Sequence, residues 1–129
     1  MEKEFSENSK LLDAYFAGLI DGEGTIDVYD HKGGTKRRPV VKVNMACEAT
    51  IRRIQEHFGG SVMPKKVYRE HYKPQWHWIV THSRAIYVAS RIRPYMITKA
   101  ALADKVLAMP MGKLYKIQGT SQKNSGIVG

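Results

Sequence analysis

Hydrophobic positions along the chain recur with two different periods, and the switches between them delimit the elements. From Lys10 to Gly22 apolar residues return every three or four places. Leu12, Phe16, Leu19 and Ile20 gather on one side, which predicts a helix capped by Ser9. The period then drops to two in "TIDVYDHK", Thr25 to Lys32, and in "PVVKVNMAC", Pro39 to Cys47. Two strands are expected, joined by the basic turn "GGTKRRP". In the second strand Val41, Val43 and Met45 take one face, and Lys42 and Asn44 the other. The helical period returns in "EATIRRIQEHFGG", where Ile51, Ile54 and Phe58 are spaced as a core stripe and Gly59–Gly60 end the helix.

A second hairpin follows, with arms "SVMPKKVYREHYK" and "QWHWIVTH". Trp76, Trp78 and Val80 alternate with His77 and Ile79, so the tryptophans belong to a packed face. A helix from Ser83 to Arg93, a break at Pro94 and a last helix "TKAALADKVLAM" complete the order. The pattern predicts one α+β domain, αββαββα with an extra C-terminal helix, over residues 10–118. Residues 1–9 read as a polar lead, and 119–129 as a glycine-rich tail expected to be disordered.

At 129 residues the chain has the length of one domain, able to bury roughly two thirds of its unfolded surface. Its start lacks the marks of a secretory signal or a targeting leader, so an intracellular location is expected, cytoplasmic or organellar. No apolar run suits a membrane. The single cysteine, Cys47, excludes an internal disulfide and fits a small core residue in a reducing compartment.

The formal net charge is +9, and 15 of the 21 Lys and Arg residues, but three of the 12 acids, lie between His31 and Lys99. A basic excess concentrated in that way suits a polyanion, most simply nucleic acid, because phosphate contacts release counterions. The alternative is a solvated surface. His31, His57, His71, His77 and His82 match no zinc spacing and are expected at the surface or on nucleic acid.

The first helix carries the chemistry. Its side opposite the core stripe holds Ala14, Gly18, Asp21 and Gly22, with Ala17 nearby, small residues where Lys or Glu would be usual. A glycine inside a helix costs about 1 kcal/mol relative to alanine, so Gly18 calls for close packing. That packing is either against a second copy of the helix across a two-fold axis or within one subunit. Tyr15 and Phe5 are assigned to core or interface. The C-terminal end of a helix is partially negative, and Glu23 adds like charge there. A divalent cation with oxygen ligands would relieve it. Asp21 is assigned a structural role, bonding backbone at the helix junction.

"FAGLIDGEG", Phe16 to Gly24, resembles the signature of the LAGLIDADG homing endonucleases. It differs at the first position, with Gly22 in place of Ala and Glu23 in place of the final Asp. "RPYMITKAALA", Arg93 to Ala103, is similar to the segment that closes the family's domain and carries its active-site lysine, here Lys99. The resemblance runs from about Lys10 to Met109. It implies a saddle-shaped antiparallel sheet lying along duplex DNA, and a hydrolytic cut in both strands dependent on Mg2+, with Mn2+ or Ca2+ able to substitute in binding. One signature implies a homodimer. The dimer interface would be Ala14, Ala17, Gly18, Asp21 and Gly22.

By the same resemblance Glu23 is the acidic metal ligand, the Gly22 carbonyl a possible second one, and Lys99 stabilises charge at the scissile phosphate or helps position the attacking water. A water-orienting polar residue, often Gln in the family, falls to Asn44 here. Eight strand residues span about 26 Å, or roughly eight base pairs of major groove, so a dimer would read a long, nearly palindromic site. Candidates for DNA contact are Asp27, Tyr29, Lys36, Arg37, Arg38, Lys42, Asn44, Lys65, Lys66, Arg69 and Lys73. A non-cleaving DNA-binding protein, or a maturase that clamps structured RNA, is the alternative on the same fold.

Overall fold

A computed structural model describes residues 7–31, 36–65 and 74–110. Lys66, Arg69 and Lys73, the side chains of His31 and Lys36, Phe5 and the 119–129 tail lie outside the described residues. The elements run α1 (Glu7–Glu23), β1 (Thr25–His31), β2 (Lys36–Met45), α2 (Glu48–Phe58), β3 (Ser61–Lys65), β4 (Gln75–Thr81), α3 (His82–Ile92), a 3-10 turn (Arg93–Tyr95) and α4 (Ala100–Leu107). The α+β class and the expected element order hold.

The four strands form one antiparallel sheet in the order β1-β2-β4-β3. Residues opposite one another share a face. Ile26, Val28, Val41, Val43, Trp78 and Val80 therefore line the core side, where the helices supply Phe16, Ala17, Ile20, Ile51, Ile54, Phe58 and the apolar stripe of α3. The other side carries Thr25, Lys42, Ile79 and Ser61 in one row and Asn44, His77 and Met63 in the next.

Several boundaries move. Helix α1 begins at Glu7, inside the expected polar lead, and Ser9 is not its cap: the Ser9 hydroxyl accepts a bond from Arg91 at 2.9 Å. Strand β2 begins at Lys36, so the basic "KRR" is strand paired to His31, Asp30 and Tyr29, not a turn. Pro39 is accommodated because the β2–β4 ladder starts only at Val40, leaving it beside one strand. Cys47 is exposed, not core. The ladder stops at Met45, and Cys47 stands at the N-cap of α2, where the Thr50 hydroxyl approaches its sulfur at 3.2 Å.

The Gly59–Gly60 turn is fixed by geometry. Both residues have positive φ, 79° and 106°. A Cβ on Gly60 would stand 2.6 Å from Val80 Cγ1 and 2.9 Å from the Ile79 carbonyl. Trp78 Nε1 donates to the Gly59 carbonyl at 2.8 Å, and Arg84 Nη1 to the Phe58 carbonyl at 3.0 Å. The end of α2 is thereby tied to β4 and α3.

Candidate active site

The end of α1 is held from two directions. Gly24 N–H donates to the Ile20 carbonyl at 3.0 Å, closing the last helical turn. A Cβ on Gly24 would meet the Lys42 carbonyl at 2.9 Å, so only glycine lets the helix end lie this close to β2. On the other side the chain returns after α3. The Asp21 carboxylate accepts the backbone N–H groups of Ile97 (2.9 Å), Thr98 (3.0 Å) and Lys99 (2.7 Å). These donors belong to the turn that leads into α4, the last of them to Lys99 at the N-cap position. Asp21 reaches them from 76–78 residues away.

Lys99 completes the lock. Its Nζ donates to the Asp21 main-chain carbonyl at 2.7 Å. A cation does sit at the partially negative end of α1, and within one chain it is the Lys99 ammonium. Burial pushes the Asp21 carboxyl up, but the three N–H donors and the Lys99 charge together outweigh that and hold it below the ordinary carboxylate value.

Glu23 lies two residues beyond Asp21, in the last turn of α1, exposed and without a hydrogen bond or ion pair to any other described residue. Its hard carboxylate oxygens, and a Gly22 that has open space where a side chain would be, suit one share of a divalent cation's ligands. Among the described residues no three acidic, histidine or cysteine side chains converge, so they do not by themselves make a cage.

The outer face of α1 differs from the sequence expectation in phase. Leu11, Tyr15, Gly18 and Gly22, spaced i, i+4, i+7 and i+11, are the exposed stripe, with Leu11 65% and Tyr15 60% exposed. A Cβ on Gly18 or Gly22 would meet nothing within 4 Å, so packing among the described residues does not account for either glycine. Ala17 belongs to the chain's own core at 0% exposure and cannot line an interface. The Asp21 side chain is likewise committed within the chain, and Ala14 is partly covered. Beside this stripe a hollow of about 360 Å³ opens between α1 and α2, lined by Leu12, Tyr15, Phe16, Ala49, Thr50 and Arg53.

The DNA-contact candidates divide. Lys42, Asn44 and Lys65 share the sheet face away from the core; Lys42 Nζ rests 5.6 Å from the centroid of the Tyr29 ring. Arg38 stands opposite Tyr29, while Arg37 falls in the other register and lies 3.6 Å from Asp30. Asp27 is engaged internally: Lys105 of α4 reaches its Oδ1 at 2.9 Å, and the Val28 N–H bonds the same oxygen. Desolvation raises its carboxyl, but these partners more than reverse the effect, so its pKa is lowered.

Two groupings were not anticipated. Asn44 Oδ1 and His77 Nδ1 hydrogen-bond across β2 and β4. His57 is not a surface residue: its Nε2 lies 2.8 Å from Asp13 Oδ1, while Arg91 Nη2 lies 2.8 Å from Asp13 Oδ2. This buried network joins α1, α2 and α3. The signal for it was available, since Asp13 holds core spacing with Phe16, Ala17 and Ile20.

No protein-family model matches the chain, and no curated protein matches it. Solved structures do. The homing endonuclease I-CvuI, in complex with its target in the presence of calcium, is 19% identical over 89% of this chain and 73% of its own, with a TM-score of 0.64. The archaeal intron-encoded homing endonuclease I-Vdi141I, complexed with DNA, is 20% identical over 84% of this chain and 75% of its own, TM-score 0.59. The meganuclease I-SmaMI, bound to uncleavable DNA, matches 74% of this chain at 17% identity and a TM-score of 0.56, but only 34% of its own length. The architecture is thus the one these DNA-bound endonucleases share. More narrowly, the chain has the LAGLIDADG homing-endonuclease fold.

Proposed function

We propose that this chain is a site-specific, divalent-metal-dependent endonuclease that cuts both strands of duplex DNA as a homodimer, at a long and nearly palindromic site. The observation that carries the reading is the Asp21–Lys99 lock, in which an ammonium is fastened at the helix end that bears the exposed Glu23. Fold likeness to I-CvuI and I-Vdi141I, both solved with DNA, supports the substrate class.

In the dimer the stripe Leu11, Tyr15, Gly18 and Gly22 meets its copy, and the two glycines let the helix backbones approach. The two Glu23 carboxylates then converge. Glu23 and the Gly22 carbonyl would hold the divalent ion, which when bound lowers the pKa of water and neutralises phosphate charge. Lys99, anchored through the Asp21 carbonyl, offers its remaining N–H donors to the scissile phosphate, where fixed positive charge acts with little reorganisation. Thr25, Lys42, Lys65 and Arg38 hold the backbone and groove. Asn44, whose amide is engaged by His77, keeps its expected DNA contact and gives up the orienting of water.

The test is selection and cleavage on a randomised duplex library with magnesium. Glu23→Gln and Lys99→Met are expected to keep binding and to lose cutting by at least about a hundredfold. A dimeric, folded protein that binds duplex yet cuts nothing with magnesium or manganese would leave a DNA-binding protein in place of a nuclease. Preference for structured RNA over duplex would leave the maturase.

A further inference from the structure

The Asn44–His77 pair stands on the sheet face opposite the core. Asn44 and His77 are directly opposed in the β2–β4 ladder, and Met63 of β3 extends the same row. Both are partly exposed, whereas their sequence neighbours Val43 and Trp78 point into the core. The row adjoins the one holding Thr25 and Lys42, next to the strand end nearest α1. Lys65, opposite Gln75, lies one step beyond on the same face.

The hydrogen bond constrains what the pair can present. An asparagine acting alone reads adenine with its own donor and acceptor together. Here one of the two groups is occupied by the imidazole. If His77 Nδ1–H donates to Asn44 Oδ1, the free atoms are the Asn44 amide N–H, a donor, and His77 Nε2, an acceptor. With the amide turned and the other tautomer, the free atoms are Asn44 Oδ1, an acceptor, and His77 Nε2–H, a donor. Either arrangement offers one donor and one acceptor. A single base that displays an acceptor beside a donor in the major groove is adenine, through N7 and N6; guanine displays two acceptors.

We propose that Asn44 and His77 act as one reading unit that selects an adenine in each half-site. The inference rests on the nuclease reading above. It requires a neutral imidazole, and the surroundings favour one: partial burial lowers the His77 pKa, and Lys42 on β2 and Lys65 on β3 lower it further.

The experiment is binding selection from a randomised duplex library at pH 8 with calcium, for wild type and residue-77 variants. Wild type is expected to prefer adenine roughly tenfold at one position per half-site, the discrimination of one two-bond contact. His77→Gln keeps one donor and one acceptor and retains adenine. His77→Lys leaves two donors and moves the preference to guanine. Asn44→Ala flattens that position alone. A selected site whose bases are the same for all variants, or whose responding position is not adenine, overturns the inference and spares the nuclease reading. A library from which folded wild type enriches nothing overturns both.

Discussion

Asp21 and Lys99 bind each other through opposite groups: the Asp21 carboxylate accepts the Lys99 N–H at 2.7 Å, and the Asp21 carbonyl accepts the Lys99 ammonium at 2.7 Å. One residue thus ties down the turn that leads into α4 while the other covers the end of α1. Replacing Asp21 with Ala removes the acceptor of three backbone N–H groups and is expected to cost about 1 kcal/mol or more in denaturant unfolding. The pH dependence has a definite sign. Because the folded pKa lies below the ordinary 3.8, the carboxylate's stabilisation is fully present above that value. It is lost as pH falls through the folded pKa. Wild type and Asp21→Asn should therefore differ in melting temperature near neutrality and converge at acid pH.

Gly18 separates folding from the proposed association. Its Cβ position is empty within the chain, and alanine favours a helix over glycine by up to about 1 kcal/mol. Gly18→Ala should leave the dilute monomer as stable as wild type or more so. The same change should raise the dimer dissociation constant by tenfold or more, read by sedimentation. Unchanged self-association would remove α1 from the interface.

Gly60 is constrained within the chain. Alanine there would need φ near 106° and would drive a methyl into Val80 and the Ile79 carbonyl. Gly60→Ala is expected to destabilise by more than about 1 kcal/mol, measured by chemical denaturation.

Asp13 is 3% exposed and bridges His57 and Arg91. Its replacement by Ala leaves the Arg91 charge without its carboxylate partner in a covered position, which costs about 3 kcal/mol. Arg91→Ala added to Asp13→Ala should cost less than the sum of the single changes, because the two share one interaction. Additive losses in a double-mutant cycle would show the network to be incidental.

The sheet and its helices were legible because alternation survives substitution: Val41, Val43 and Met45 against Lys42 and Asn44 fix the face of β2 without reference to any other element. The start of β2 was not legible, since Lys36, Arg37 and Arg38 are charged on both faces and only pairing with β1 reveals them as strand. Cys47 misled for a related reason, continuing the alternation one step past the end of the ladder. The phase of α1 was read to within part of a turn, which put Ala17 on the wrong side and missed Leu11. At the site, a carboxylate at an apolar helix end pointed to Asp21 as a backbone acceptor. Its three donors lie across the fold, and no local pattern encodes them.

Each outer strand of the sheet has a single neighbour, β1 on β2 and β3 on β4, while the two inner strands pair with each other along their aligned portion. Each hairpin can therefore change its length or register at the rim without disturbing its counterpart. Under the proposed function, a change of target can proceed one hairpin at a time, with Val41, Val43 and Trp78 as the fixed hinge of both.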